Sequence, residues 1–335
     1  MTLCLSASPS MPVYDVLVVG SCSVDLIFSG LPQLPELGRE VVGRGFAMIP
    51  GEAYNSAVAM HRLGLRVAWA GDFGNDEFSQ FALRAAREEG LDETFFVHHA
   101  RPLRRLTVAV SFPEDRAFIT YYDPDPLIPA GLRALRKVCA RLLFVPGFYA
   151  GPLFHLGLFW VRAKGMKVAM DGNSHPDMHL KRAAVRRAIR SLDLFLPNAA
   201  EALHLTGESD LPRAIRRLGE LCPLVVVKAG AEGAFAYHRQ QLIHVPALKI
   251  KPLDTTGAGD CFNAGFVRAW LDGRPLEECL RWGNIVGGLS TLGYGATGRK
   301  VTLAEVQRYL RRSNSQAAKD GPEPVVEPTT PKVES

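Results

Sequence analysis

The segment Asp254-Thr255-Thr256-Gly257-Ala258-Gly259-Asp260 holds the residue types in this 335-residue sequence that most directly suggest chemistry. It runs into an apolar, helix-like stretch beginning Cys261-Phe262-Asn263-Ala264. A glycine-rich turn at a helix start exposes several backbone N–H groups, and the helix dipole adds partial positive charge there. Such a site suits an anion, above all a transferring phosphoryl group. The segment lacks the Gly-Lys-Ser/Thr of a P-loop and ends in a carboxylate instead. Beside a phosphate-binding turn, that aspartate makes sense as the base that takes a proton from an attacking hydroxyl. It makes equal sense as an N-terminal helix residue that counters the dipole. Taken alone, the segment leaves both open.

Other polar residues stand where strands and helices should meet. Asp25 follows a short apolar run and could bind a ligand or cap a turn. Asn198 and Glu201 have the spacing of an N-cap and its N3 partner. Asp76 suits the N-cap of a helix over residues 76–89.

These residues need elements to position them. Tyr14 to Gly20 reads as a buried strand, and residues 55–63 read as a helix that Gly64 closes. From Leu142 onward, short apolar runs alternate with helical spacing, ending in helices over 259–271 and 276–291. This βαβ rhythm implies an α/β fold with a doubly wound, mostly parallel sheet. Residues 38–49, read as an exposed strand pair, and a hairpin within 106–122 do not fit the alternation. They should form a small β appendage beside the main sheet. Residues 1–12 read as a flexible leader, 13–312 as one domain and 313–335 as a disordered polar tail.

Composition narrows the classes. Hydrophobic residues make up 47% and charged residues 22%, which suits a globular core. The net charge of +5 favours anionic ligands but does not argue for nucleic acid. The basic runs 181–190 and 213–217 look like solvated faces of amphipathic helices. No apolar run approaches the roughly 18 residues of a membrane span. Six scattered cysteines show no C-x-x-C pair and no metal-ligand spacing with histidine, which points to a cytoplasmic setting.

The segment 254–260 with its apolar helix resembles the C-terminal signature of the PfkB, or ribokinase-like, sugar and nucleoside kinases. Further landmarks follow in matching order over roughly residues 14–311: Val19 to Asp25, Pro50 to Ala57, Gly71 to Ser79, Ala169 to Asn173, Pro197 to Glu201 and Val225 to Gly233. The resemblance implies a ribokinase-like sheet with a β-sheet lid over the acceptor. It implies Asp260 as general base, with Gly257, Ala258 and Gly259 as the anion hole. Asp25, Gly51 and Asn55 would bind the acceptor. Lys228, Gly230, Gly233, Thr256 and Asn284 would bind ATP. Asn198 and Glu201 would hold Mg2+ through water, and Asp254, Ser290 and Gly295 fall where several members hold a monovalent cation such as K+. Pro50 departs from the family's Gly-Gly pair and removes an N–H donor there.

The implied activity is ATP-dependent phosphorylation of a hydroxyl on a small sugar. Pro146-Gly147-Phe148-Tyr149 resembles segments of adenosine kinases, so a nucleoside acceptor is the alternative. A non-catalytic sensor on the same fold is a further reading, against which all the motif residues are present. A dinucleotide oxidoreductase is disfavoured, because Gly20-Ser21-Cys22-Ser23 lacks the G-x-G-x-x-G pattern. No nucleic-acid or membrane partner is implied. The family's lids often pair, and Val41, Val42, Phe46 and Met48 would allow a homodimer through the lid.

Overall fold

The structure is a computed structural model that describes residues 13–112, 116–173 and 177–317. The chain opens with β1 (Val13–Val19), β2 (Val24–Ser29), β3 (Gly45–Pro50), α1 (Ala53–Arg62), β4 (Val67–Ala70), β5 (Asp72–Phe73), α2 (Glu77–Glu88), β6 (Val97–His98), β7 (Arg105–Ser111) and β8 (Arg116–Tyr122). Then come α3 (Ala130–Lys137), β9 (Cys139–Val145), α4 (Pro152–Ala163), β10 (Lys167–Asp171), α5 (Ala183–Arg190), β11 (Leu194–Leu196), α6 (Ala199–Thr206), α7 (Leu211–Gly219) and β12 (Leu224–Lys228). The antiparallel pair β13 (Ala234–His238) and β14 (Gln241–Val245) precedes α8 (Ala258–Leu271), α9 (Leu276–Ser290), α10 (Gly295–Gly298) and α11 (Leu303–Ala317).

Eight strands form the main sheet in the order β14-β13-β12-β11-β10-β9-β1-β4. All its pairs from β4 to β12 are parallel. Strands covered on both faces should be apolar on both, and β1 shows this. Val16 and Val18 enter one core with α1, α8 and α9, while Tyr14 and Leu17 enter the other with α3 to α7. The basic helices behave as their patterns require: α5 buries Val185, Ala188 and Ile189, and α7 buries Ala214, Ile215 and Leu218. Asp76 caps α2 by accepting from Ser79 N at 2.9 Å.

A separate four-stranded sheet, β3-β2-β7-β8, forms the lid. The hairpin β7–β8 matches the expectation for 106–122. The expected strand pair within 38–49 does not form: only residues 45–50 are a strand, and its antiparallel partner is β2. β2 escaped notice because it follows β1 after four residues and pairs by long-range register, in parallel with β7. Asp25 therefore sits on a lid strand, opposite Ile49 and Thr107. At the other end, α11 runs to Ala317, past the expected domain end at 312. The expected leader and residues 318–335 of the expected tail lie outside the described residues.

Candidate active site

Asp260 is the third residue of α8, whose cap residue Gly257 has φ 69°. That left-handed conformation favours glycine. A Cβ there would also lie 2.1 Å from the Ala296 Cβ, so no side chain fits. The helix start presents its free N–H groups into a cleft of about 740 Å3 lined by Gly257, Ala258, Gly259 and Asp260.

The Asp260 carboxylate is gripped from α1. Asn55 Nδ2 donates to Oδ2 at 3.2 Å and Ser56 Oγ to Oδ1 at 3.1 Å. Burial, then the negative charge of Asp171, push the Asp260 carboxyl up to about 7, against the pull of Lys228 and the two hydrogen bonds. A carboxylate that titrates near neutrality can take and return a proton at working pH. Asn55 Oδ1 is buried with no hydrogen-bond partner, so it presents an acceptor beside Asp260.

The start of α1 also reaches Asp25. Gly51 N donates to Ser23 O at 2.8 Å, and a Cβ on Gly51 would lie 2.9 Å from Asp25 Oδ2. Glycine is needed here for close approach. Burial first, and the Glu52 charge as well, raise the Asp25 carboxyl to about 6, against the Ser23 hydroxyl 3.2 Å away. Glu52 itself has φ 54° and ψ −125°, a strained backbone for a residue with a side chain. Its Oε2 accepts from Arg105 Nε at 3.2 Å. Arg105 Nη1 donates to Asp125 Oδ1 at 3.1 Å, and its guanidinium lies 4.1 Å from the Tyr122 ring centroid.

Across the cleft, Lys228 ends β12 and donates to both oxygens of Asp171, at 3.0 and 2.9 Å. Asn263 of α8 bonds both partners. Lys228 Nζ also abuts the turn, 3.5 Å from where a Cβ on Gly259 would lie. Asn198 and Glu201 form a capping box: Glu201 N donates to Asn198 Oδ1 at 2.9 Å and Asn198 N to Glu201 Oε2 at 2.8 Å. Burial, then the Asp171 charge, hold the Glu201 carboxyl above its usual range. Asp171, Asn173, Asn198 and Glu201 line the cleft together. These are hard oxygen donors near a phosphate-sized turn, which suits Mg2+ held partly through water.

Gly230, Gly233 and Asn284 line the same cleft, and Asn284 Nδ2 donates to the carbonyls of Val245 and Pro246, both at 3.0 Å. Thr256 bonds within its own turn. Its N–H and hydroxyl donate to Asp254 Oδ1 at 2.9 and 2.7 Å, and Thr255 lines the cleft in its stead. The other oxygen of Asp254 accepts from Gly295 N at 2.8 Å, so Asp254 clasps two loops. Ser290 is buried and donates to Gly287 O at 2.8 Å.

Sequence reasoning assigned no role to Ser56, Glu52, Arg105, Asp171 or Asn263. Ser56 adjoins Asn55, and Asp171 lies within the quoted motif Ala169 to Asn173, so both carried a signal. Glu52 and Arg105 lie 53 residues apart and carried none.

Residues 14–127 and 157–302 match the description "pfkB family carbohydrate kinase". The chain is 27% identical over 302 residues to a ribokinase of Bacillus subtilis, covering 88% of this chain and 99% of that protein. It is 41% identical over 128 residues to a cytidine kinase of Thermococcus kodakarensis, covering 36% of this chain and 46% of that protein. In fold it is similar to an Arabidopsis thaliana ribokinase complexed with ribose and ATP, with TM-score 0.76 and 20% identity over 90% of this chain and 99% of that one. The match spans most of the chain, and the chain belongs to the PfkB family of carbohydrate kinases.

Proposed function

We propose that this protein transfers the γ-phosphoryl group of ATP to a hydroxyl of a small sugar or sugar-like acceptor. One observation carries the reading: a carboxylate titrating near 7 stands in the first turn of an anion-binding helix, held by Asn55 and Ser56. The acceptor lies between Asp25, Asn55 and Asp260, its hydroxyl donating toward Asp260. As its oxygen bonds to the γ phosphorus, the proton passes to Asp260. The bond from that phosphorus to the β–γ bridging oxygen breaks, and ADP leaves. N–H groups of 257–260 stabilise the spreading negative charge. Lys228, Gly230, Gly233 and Asn284 flank the nucleotide. Glu201 and Asn198 would hold Mg2+ through water, and the ion would neutralise phosphate charge.

Asp254 and the carbonyls around 290–295 offer oxygen donors to a monovalent cation, so potassium chloride should activate relative to choline chloride. The exposed Phe46, Met48 and Ile119, on one face of the lid, would be covered in a dimer, which light scattering reads. Among the described residues no helix is long and apolar enough to cross a membrane. Use of ATP suits a cytoplasmic enzyme.

A nucleoside acceptor is the second reading, favoured by the 41% identity to a cytidine kinase over 128 residues. The test is ADP release with ATP, Mg2+ and a panel of pentoses, hexoses, keto-deoxy acids and nucleosides. Acceptor-dependent ADP release is expected. Its absence with every acceptor would leave a sensor on a kinase fold.

A further inference from the structure

Arg62 is the last residue of α1, and its side chain is only 9% exposed. Its Nε and Nη2 donate to the two oxygens of Glu89, just past α2, at 2.9 and 2.6 Å. Its remaining nitrogen, Nη1, donates to Thr297 O at 2.8 Å and to Arg299 O at 3.3 Å. Those carbonyls belong to α10 and to the residue that ends it. So short a helix has no stability of its own, and its place is set by what holds it. What α10 holds, in its turn, is the start of α8. Gly295 N donates to Asp254 Oδ2, the Ala296 side chain fills the space beside Gly257, and Ala296 O accepts from Cys261 Sγ at 3.2 Å. Arg62 itself lines no part of the cleft.

We propose that Arg62 is a positioning residue for phosphoryl transfer: it clasps the 295–299 loop to α1 and so fixes the glycine turn before α8 against the helix that carries Asn55 and Ser56. The proposal rests on the phosphotransfer reading above. The contacts close a ring. Near its start α1 bonds Asp260 through Asn55 and Ser56. About 9 Å further along the helix it holds the loop through Arg62. The loop returns to residues 254, 257 and 261, on either side of Asp260. Opening the ring at Arg62 releases α10 and lets the start of α8 shift relative to Asn55 and Ser56. An apolar side chain could fill the same buried volume. A guanidinium alone presents a planar fork that bonds a carboxylate bidentately and still donates to carbonyls of a third element. Glu89 balances the buried charge, which leaves the two carbonyl bonds as the part that acts on the site.

The experiment measures ADP release by the full chain with ATP, Mg2+ and whichever acceptor of the panel above the wild type turns over fastest. Three variants separate positioning from stability, each with a melting curve. Arg62→Met/Glu89→Gln removes a cation and an anion together, so it strands no buried charge and leaves the local net charge unchanged. Its kcat should fall roughly ten- to 100-fold, the scale of a misplacement of about 1 Å caused far from the chemistry. Its rise in log kcat/KM near pH 7, which marks Asp260, should move to higher pH, because the bonds from Asn55 and Ser56 pull that carboxyl down. Asp171 and Lys228, the charged groups that face Asp260, stay intact in it. Glu89→Gln keeps both carbonyl bonds, so it should lose melting temperature yet keep the wild-type kcat and pH limb. Arg62→Lys keeps a cation for Glu89 but lacks the fork. It should melt close to wild type and still lose kcat, which covers the case of a double variant that does not fold. A folded Arg62 variant with wild-type kcat and pH limb would overturn the proposal while sparing the kinase reading. So would a kcat loss in Glu89→Gln equal to that of the double variant. No ADP release by the wild type with any acceptor would overturn the phosphotransfer reading and this proposal with it.

Discussion

Two ion-pair clusters hold opposite ends of the candidate site, and they are built differently. Lys228 and Asp171 end neighbouring parts of the main sheet, with Asn263 of α8 bonded to both, and their side chains are 12% and 7% exposed. Arg105 comes from lid strand β7 and Glu52 from the start of α1, while the outer partner Asp125 is 69% exposed. The first cluster joins elements that share one framework. The second spans lid and body, with water at its outer edge. The proposed donor end is thus the more tightly framed of the two, and the proposed acceptor end hangs on a contact between two elements.

The largest effect should come from the group that both ends face. Asp260→Asn should lower kcat by roughly 10^2 to 10^4, the usual contribution of a positioned base, with the ATP KM little changed. Near-normal turnover would break the assignment. Stability should move the other way. In the folded protein the Asp260 carboxyl sits at about 7, against 3.8 for an ordinary aspartate. The unfolded chain thus loses its proton first, and the wild type loses stability as pH rises from about 4 through 7. The Asn variant escapes that loss. It should gain in melting temperature relative to wild type between pH 4 and pH 8.

Next comes the contrast between the two clusters. Lys228→Met leaves Asp171 buried without its cation, which should cost about 3 kcal/mol of stability and raise the ATP KM. Arg105→Met strands carboxylates that water partly reaches, so its stability loss should be smaller. Its effect should fall on the acceptor KM, with the ATP KM unmoved. Equal melting losses, or equal changes in ATP KM, would erase the distinction. Chemical denaturation and paired KM measurements read both.

The same contrast explains what the sequence made legible. The donor end is local: residues 254–260 and 198–201 each bring a turn, a helix start and their polar groups within a few positions. Its glycine turn at a helix start and its capping box could be read from spacing, and the structure has both. Thr256 bonds Asp254 while Thr255 lines the cleft, a distinction that spacing alone does not draw. The acceptor end depends on pairing across the chain. β2 lies between β3 and β7, and no local pattern announces that register. Glu52 and Arg105 meet only because the lid folds over α1. The unusual backbone at Glu52 likewise follows from that packing, since nothing in Pro50-Gly51-Glu52-Ala53 requires it.

The smallest effects should appear in the pH profile, where each end marks its own limb. Both Asp260 and Asp25 act as carboxylates, and both are raised, to about 7 and about 6. Log kcat/KM should therefore be level above pH 7, fall with unit slope just below it, and steepen toward a slope of two below pH 6. Lys228 pulls the Asp260 carboxyl down, so Lys228→Met should move the upper limb to higher pH. Glu52 pushes the Asp25 carboxyl up, so Glu52→Gln should move the lower limb to lower pH and leave the upper one in place. Rate profiles of the two variants against wild type, taken at a temperature where all three stay folded, read these shifts. If Glu52→Gln moved the upper limb as well, the two ends would be electrostatically coupled, and the lid cluster would belong to the catalytic framework.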